Sequence, residues 1–325
     1  MNKGQMSRLG IYRSAWMARK KLPNKKVLFV FISVVTVLLF LVRKPRSYGS
    51  IPTPLGAEVI CPHQVSEQTI TPLNNTKHFL VSAYMDERVN GFSLRIIGIF
   101  RRDSIQPLDY LASNKKQKTN RKEENKPQFD FTVCVSSLFG DYNNVLQFAQ
   151  TLEVYRLLGV NRVVIYNTSC GPDLERLLQS YSQEGFVELV PWPIDRYLNP
   201  SPGWLFSQHG GDVHYFGQLT TLNECIYRSM DRSRYVLLND IDEIIMPYQH
   251  RDLKGLMDML QQKHPNTGVF LIENHVFPKK HFEPSRKFNL PQWKGVPGVN
   301  ILEHIYREDP DRNIYHFHKM IVQPK

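Results

Sequence analysis

The sequence of 325 residues predicts an α/β protein whose core is a mostly parallel β-sheet covered by helices. Hydrophobic residues make up 42% of the chain, which is enough to form a sizeable core. From residue 131 onward, short apolar runs typical of strands alternate with segments whose apolar residues recur at helical spacing. Strands connected through helices pair in parallel, and such sheets bind ligands at the carboxyl ends of their strands.

The first predicted element is a small β unit at residues 77–112. Two strand-like runs in its first part flank Asn90-Gly91, a pair typical of a tight hairpin turn. The charged stretch at residues 113–129 is interpreted as a solvated loop. The sheet domain then occupies residues 130–325.

Five strands and four helices follow in alternation. Each strand run is apolar and bounded by turn residues, and each helix carries an apolar stripe. In chain order the expected elements are a strand at 131–139, a helix from Val145 to Leu158 ended by Gly159, a strand at 162–168, a helix from Pro172 ended by Gly185, a strand at 186–192, a helix at 218–231, a strand at 234–240, a helix at 252–264 and a strand at 268–277.

The N-terminal part of the chain is basic, and the rest is balanced. The formal net charge is +11, but eleven of the 41 Lys and Arg residues lie in residues 1–46, before the first acid, Glu58. The remaining 30 cations face 30 Asp and Glu residues. A neutral body lacks the electrostatic footprint needed to bind a phosphate backbone, so we expect no nucleic-acid partner.

Residues 27–42 predict a single transmembrane anchor. Their only polar members are Ser33 and Thr36, and basic clusters flank the run on both sides. The alternative is the core of a cleaved signal peptide, which usually has a shorter region before it and small residues after it. The positive-inside rule places residues 1–26 in the cytoplasm, so a stem at 43–76 and everything beyond it are expected in a lumen.

The sequons and cysteines agree with a lumenal location for the part of the chain after the predicted anchor. Asn74 and Asn167 each begin an N-x-Ser/Thr sequon, and we expect both to be exposed in loops. The four cysteines can form one or two disulfides in an oxidising compartment, and the sequence leaves their pairing open: Cys61, Cys134, Cys170 and Cys225.

Three carboxylates follow the apolar part of the predicted strand at 234–240: Asp240, Asp242 and Glu243. Two aspartates two positions apart on an extended segment project to the same side, where they can hold one divalent cation. The alternative is a set of strand-end carboxylates that cap the following turn. A second D-x-D pattern, at residues 309–311, lies in a charged stretch interpreted as a surface turn.

Several separated motifs resemble glycosyltransferase family 92. They are AYMDER (83–88), GVNRVVIYN (159–167), FGQLTTLNECIYR (216–228), YVLLNDIDEII (235–245) and HKMIVQP (318–324). Members of that family have a GT-A type fold, so the resemblance implies a GT-A-like sheet here, after an anchor and a stem. Family members continue beyond the last of these motifs, so we expect the C-terminal part of the domain to be missing after Lys325.

The resemblance implies a type II Golgi membrane enzyme that uses a UDP-sugar. Characterised members use UDP-galactose and a divalent metal, usually manganese, and transfer the sugar with inversion to a glycan hydroxyl of a glycoprotein or glycolipid. In this chain the metal and the nucleotide diphosphate are expected on Asp240 and Asp242. The alternative is a catalytically inactive glycan-binding or complex-forming protein on the same fold.

Further side chains are candidates for the same site. Gln218 and Asn223 lie in the motif that resembles the family's glutamine-containing helix, where they would bind the nucleotide or sugar; as ordinary helix residues they would face solvent. Inverting transfer needs a carboxylate base near the acceptor hydroxyl, and Glu273 is the candidate. Trp204, in the long loop at 195–217, would either stack on a sugar or pack the loop down.

Overall fold

The described residues form two β-sheets. The computed structural model describes residues 69–86, 88, 93–101, 126–309 and 318–325, all of which belong to one unit that spans residues 65–325. The strands are β1 (Thr71–Pro72), β2 (Phe79–Asp86), β3 (Ser93–Ile99), β4 (Phe129–Leu138), β5 (Arg162–Asn167), β6 (Val187–Pro191), β7 (Ser233–Leu238), β8 (Val269–Ile272) and β9 (Lys319–Val322). Strands β1 to β3 form one sheet, and the other six form a second sheet in the order β6-β5-β4-β7-β9-β8.

The six-stranded sheet is parallel over most of its width. β4 pairs in parallel with both β5 and β7, and β5 pairs in parallel with β6. β9 is antiparallel to β7 on one side and to β8 on the other. The prediction of a mostly parallel sheet is therefore confirmed, with one antiparallel strand inserted near an edge.

Four longer helices connect and cover the strands: α1 (Val145–Leu157), α2 (Pro172–Gln183), α3 (Gln218–Ser229) and α4 (Leu253–Lys263). Their bounds agree with the predicted helices to within about two residues, as expected for helix ends. Gly159 and Gly185 follow α1 and α2 with φ of 87° and 79°, a backbone conformation that favours glycine. Shorter helical turns lie at Ile194–Arg196, Phe206–His209, His214–Gly217, Pro291–Trp293 and Ile301–Glu303.

A hydrophobic core lies on each face of the large sheet. Alternate residues of β4 point to opposite faces, so Val133 and Val135 belong to one core and Cys134 to the other. The first core takes the apolar faces of α1, α2 and α4. The second core takes α3 and the small N-terminal sheet, including Phe79. The sheet is therefore covered on both sides, as its near-continuous apolar strands require.

The small N-terminal sheet contains the predicted hairpin. β2 and β3 pair antiparallel from Phe79 opposite Ile99 to Asp86 opposite Ser93, and of the residues between them the structure describes Arg88 alone. β2 also contacts α3, where the hydroxyl of Tyr84 donates to Glu224. The small β unit therefore packs on the main domain.

One disulfide joins β4 to α3. Cys134 and Cys225 are bonded with their Cα atoms 6.1 Å apart, and both side chains are fully buried in the second core. Cys170 is a free thiol, and Cys61 lies outside the described residues. The bond is one of the one or two disulfides that the sequence predicts.

The N-terminal segments stay predictions. The tail at 1–26, the anchor at 27–42, most of the stem and most of the charged loop lie outside the described residues. Within the residues that are described, no helix combines the length and the apolar character needed to cross a membrane.

The sheet differs from the predicted one near β8. The last predicted strand, 268–277, is shorter in the structure, because the chain leaves the sheet after Ile272 and Asn274 turns towards Glu243. β9 was not among the predicted strands. Its insertion between β7 and β8 brings residue 319 to the carboxyl end of β7.

Candidate active site

The acids after β7 form a tight turn at residues 240–243, which we name the acidic turn. β7 ends at Leu238, so Asp240 lies beyond the strand. The Glu243 amide donates to the Asp240 carbonyl at 3.1 Å, and the Asp240 amide donates to the Glu243 carboxylate at 3.1 Å. The extended segment predicted for these residues is therefore wrong, because the two hydrogen bonds fold the chain back on itself. Glu243 caps the turn, as the alternative interpretation expected.

Lys319 of β9 lies against the acidic turn. Its Nζ donates to Asp240 Oδ2 at 2.7 Å and lies 2.6 Å from Glu243 Oε2, and its side chain is only 17% exposed. Burial by itself lowers the pKa of Lys319, but the charges of Asp240 and Glu243 outweigh burial and hold that pKa above its usual value. Lys319 therefore carries a positive charge that neutralises part of the turn.

Glu243 is held from two further directions. Asn274 donates to its Oε1 at 3.0 Å, and the Tyr155 hydroxyl of α1 donates to its backbone carbonyl at 2.7 Å. Burial, together with the charge of Asp240, raises the pKa of Glu243. In contrast, the Asp240 side chain is 43% exposed and Asp242 is exposed, so these two carboxylates are accessible from solvent.

Aromatic side chains form a wall beside the acidic turn. This aromatic wall consists of Phe139, Tyr142, Trp204, Tyr215 and Phe216. The Phe139 ring stacks on Phe216 with 3.9 Å between centroids and meets Tyr215 edge-on at 5.5 Å. Trp204 meets Tyr215 edge-on at 5.9 Å. The long loop that carries Trp204 is therefore packed against the segment that follows β4.

Electrostatics connect the aromatic wall to the acids. Burial raises the pKa of the Tyr215 hydroxyl, and the charges of Asp240 and Asp242 raise it further. Burial also raises the pKa of Tyr142, with a contribution from Asp242. Both hydroxyls therefore lie within the electrostatic range of the acidic pair, at the carboxyl ends of β4 and β7.

The wall rests on a strained piece of backbone. Tyr215, Phe216 and Gly217 have φ of 42°, 51° and 75°, and a non-glycine residue held in this region costs roughly 1–3 kcal/mol. The buried Trp192 indole donates to the Phe216 carbonyl at 2.8 Å, and the Ser137 hydroxyl donates to the same carbonyl at 3.0 Å. These bonds hold the strained turn in place, a kind of strain that clusters at functional sites.

The predicted residues Gln218 and Asn223 lie at different places on α3. Gln218 is buried at the start of the helix and donates to the Ser136 hydroxyl of β4 at 3.2 Å. Asn223 is exposed, and its amide donates to the Leu219 carbonyl one turn earlier at 2.7 Å. Gln218 therefore ties the residue directly after the strained turn to β4, whereas the observed contact of Asn223 is with its own helix.

Glu273, the predicted base, directly follows β8. Its side chain is 42% exposed, and its Oε2 lies 3.5 Å from His275 Nε2. The next residue, Asn274, is the one that donates to Glu243. Glu273 therefore directly precedes, in sequence, the residue that contacts the acidic turn. In the second D-x-D pattern Asp309 is exposed, and Asp311 lies outside the described residues.

A cavity of about 420 Å³ lies in the segment after Glu273, a volume within the range of small-molecule sites. Its lining includes Phe282, Asn289, Trp293 and Lys294. The cavity is tied to the loop after β4, because the amide of Val299 in its wall donates to the Asn144 side chain at 2.7 Å.

Sequence reasoning missed three residues of this site: Tyr215, Asn274 and Lys319. Lys319 lies in the HKMIVQP motif, and Tyr215 immediately precedes the FGQLTTLNECIYR motif. For these two residues, a position in or beside a quoted motif was the available signal, whereas Asn274 lies outside the motifs. Their approach to the acidic turn depends on pairings that are distant in sequence.

Comparison with known proteins gives the family. A model of glycosyltransferase family 92 matches residues 129–325, which is more than half of the chain. Two curated relatives come from Caenorhabditis elegans. Beta-1,4-galactosyltransferase galt-1 is 21% identical over 171 residues, covering 52% of this chain and 37% of the relative. Glycosyltransferase family 92 protein F13G3.3 is 24% identical over 160 residues, covering 49% of this chain and 31% of the relative.

The aligned part spans roughly a third of the length of these relatives. The family match begins with β4 and includes the acidic turn, the strained turn and Lys319. The resemblance noted in the sequence is confirmed: the chain belongs to glycosyltransferase family 92.

Proposed function

We propose that this protein transfers a hexose, namely galactose from UDP-galactose, to a hydroxyl of a glycan on a glycoprotein or glycolipid. The observation that carries the proposal is the acidic turn, which presents two accessible carboxylates at the carboxyl end of a parallel strand in a family 92 chain. The printed name of one relative, a beta-1,4-galactosyltransferase, supports galactose as the sugar.

The acidic turn fits a divalent cation such as manganese. Small divalent cations are commonly bound by one or two carboxylates, with phosphate oxygens and water completing the ligand set. Asp242 is exposed, and its carboxylate makes no hydrogen bond within the described part of the chain. Asp240 uses one oxygen for Lys319, which leaves the other. No group of three His, Cys, Asp or Glu side chains that could hold a metal occurs among the described residues. Phosphate oxygens of the substrate and water would complete the ligand set of the two aspartates.

The side chains around the turn have distinct proposed roles. Asp240 and Asp242 would hold the cation, which supplies positive charge to stabilise the departing diphosphate. The aromatic wall would exclude water on one side and offer Trp204 and Tyr215 to an apolar sugar face. Gln218, one residue beyond the strained turn, would position that turn against the donor.

The acceptor would approach from the segment after β8. Glu273 is the proposed base that takes the proton of the attacking hydroxyl. The cavity beyond it has Trp293 and Phe282 for sugar faces and Asn289 for hydroxyl groups. This arrangement would place the donor at the acidic turn and the acceptor between it and the cavity.

A second candidate function is a glycan-binding or complex-forming protein without transferase activity. Lys319 favours it, because an ammonium group already neutralises part of the carboxylate set. The two candidates differ in turnover: the enzyme releases UDP from UDP-galactose in the presence of a glycan acceptor, whereas the glycan-binding or complex-forming protein leaves UDP-galactose intact.

Isothermal titration of UDP-galactose into the full-length chain with Mn²⁺ tests the proposal. Asp240→Asn and Asp242→Asn should each weaken binding by at least about tenfold, since the amide keeps the shape of the side chain but loses its charge. Asp258→Asn, at an exposed pair with Lys254 on α4, is the matched control and should leave binding unchanged. Binding that is independent of Mn²⁺, or equal in all variants, would contradict the proposal.

The proposed location is the Golgi membrane, with the catalytic domain in the lumen. Asn74 is exposed in the turn before β2, so a glycan fits there. The expectation of an exposed Asn167 is wrong: it is the last residue of β5, paired with both neighbouring strands. Its Oδ1 is buried without a hydrogen-bond partner among the described residues.

Endoglycosidase treatment of the chain expressed in mammalian cells should therefore lower its apparent mass through one site. Asn74→Gln should abolish the shift, because the asparagine of the other acceptor sequon, Asn167, is partly buried and paired within the sheet. Asn167→Gln should keep the shift, as should the control Asn199→Gln, whose asparagine precedes a proline. An unshifted wild-type protein would contradict the lumenal location.

A further inference from the structure

We propose that Lys319 competes with the divalent cation for the acidic turn, so that the cation is retained there only together with a nucleoside diphosphate. The inference rests on the proposed function and assigns Lys319 a direct binding role at the acidic turn. It predicts that the site binds the metal alone weakly and binds the metal together with a diphosphate tightly.

The position of Lys319 is fixed by the sheet. In the β-ladders, Met320 lies opposite Leu238 of β7, and Lys319 lies opposite Ile272 of β8. The ammonium group is therefore delivered between the two strands whose ends carry the acidic turn and Asn274. It is mostly buried and reaches two carboxylates at once, at 2.7 Å and 2.6 Å. A charged group in this arrangement is already desolvated and paired.

The charges at the acidic turn determine whether Lys319 raises or lowers the affinity for a cation. Three carboxylates and one ammonium give the turn and Lys319 a formal charge of −2. A dication that binds Asp240 must share that carboxylate with the ammonium, and like charges at this separation repel. Lys319 therefore lowers the affinity for the bare cation.

A nucleoside diphosphate reverses this effect. Its anionic oxygens accept hydrogen bonds from an ammonium and coordinate a cation at the same time. Once the diphosphate is present, its negative charge lies between Lys319 and the cation and reduces the repulsion between them. Lys319 therefore raises the affinity for the diphosphate while it lowers the affinity for the metal alone.

A purely structural role of Lys319 has a different signature. If the ammonium only ties β9 to β7, removing its charge destabilises the fold and shifts neither affinity. If the ammonium only attracts the diphosphate and does not affect the cation, the affinity for metal alone stays constant. Opposite changes in the two affinities are specific to competition.

The experiment uses the full-length chain with Lys319→Met, and Lys319→Arg as the variant that keeps the charge. The first probe is Mn²⁺ alone, with free Mn²⁺ measured by electron paramagnetic resonance. The second probe is UDP at saturating Mn²⁺, measured by isothermal titration. Lys319→Met should bind Mn²⁺ about tenfold more tightly and UDP about tenfold more weakly, a size typical of coupling between two sites. Lys319→Arg should stay close to wild type in both.

Equal or weaker Mn²⁺ binding by a folded Lys319→Met variant would overturn the inference. Folding is checked by the thermal midpoint, and Lys319→Gln, which keeps a polar side chain, replaces the methionine variant if the latter does not fold. The Mn²⁺ measurement decides the competition by itself. If wild-type protein binds Mn²⁺ but no UDP, the proposed function fails, whatever the outcome for Lys319.

Discussion

Glu224→Ala should destabilise the domain by roughly 3–5 kcal/mol, the cost of removing one partner from a buried ion pair. Glu224 is 1% exposed on α3 and pairs with Arg228, whose Nη2 lies 2.9 Å from its carboxylate. It also accepts hydrogen bonds from the hydroxyls of Tyr84 in β2 and Tyr166 in β5. One carboxylate therefore connects both sheets through α3, and its loss leaves several buried donors without an acceptor.

Chemical denaturation followed by circular dichroism measures this effect. Asp258→Asn, on the exposed face of α4, is the control and should leave the midpoint unchanged. A loss below about 1 kcal/mol in Glu224→Ala would contradict the structural assignment, because that is the level of an exposed pair.

The same carboxylate predicts a pH dependence. Burial by itself raises the pKa of Glu224, but the hydrogen bonds from Arg228 and the two tyrosines outweigh burial and lower it below the usual glutamate value. A lowered folded-state pKa gives stability that is present above the unfolded-state pKa and is lost as pH falls through the folded-state pKa. Glu224→Ala should therefore show a shallower loss of stability on acidification than wild type.

Replacing both Cys134 and Cys225 with alanine should cost roughly 4–5 kcal/mol, as loop-closure entropy predicts for a loop of this length. The bonded residues are 91 positions apart, so the disulfide constrains a large part of the unfolded chain. It also connects β4, the central parallel strand, to the helix that carries Glu224.

Urea denaturation with and without reductant measures the contribution of the disulfide. Wild-type protein should lose stability on reduction, whereas the double alanine variant should not respond. Cys170→Ala is the control, since Cys170 is a free thiol outside this bond. Equal midpoints for oxidised and reduced wild-type protein would show that the bond contributes nothing to stability.

The sequence predicted the elements whose signals are local. The stripes of α1 and α2 and the apolar runs of β4, β5 and β7 are each visible within about ten consecutive residues, which is the scale of helical and strand periodicity. The location of the acids after the carboxyl end of β7 was predicted from the alternation of strands and helices, because this alternation defines which strand ends lie together.

The remaining features depend on contacts that are distant in sequence. β9 has four residues, too few for period-two alternation to stand out, and its partners lie roughly 50 and 80 positions earlier in the chain. The acidic turn closes on itself because Glu243 reaches the Asp240 amide, which a strand pattern does not encode. Asn167 lies within the sheet, partly buried, because β6 pairs beside it, although its own sequence is typical of a strand end.

The place of β9 in the sheet has a consequence for synthesis of the chain. Among the described strands β9 is made last, yet it lies between two that are made earlier. While the ribosome adds the residues between β8 and β9, the edge of β7 stays unpaired and β8 has no partner among the described strands. An open strand edge of this kind is a template for pairing with other chains. Closure of the sheet and arrival of Lys319 at the acids are therefore one event, and a nascent chain stalled before it has neither.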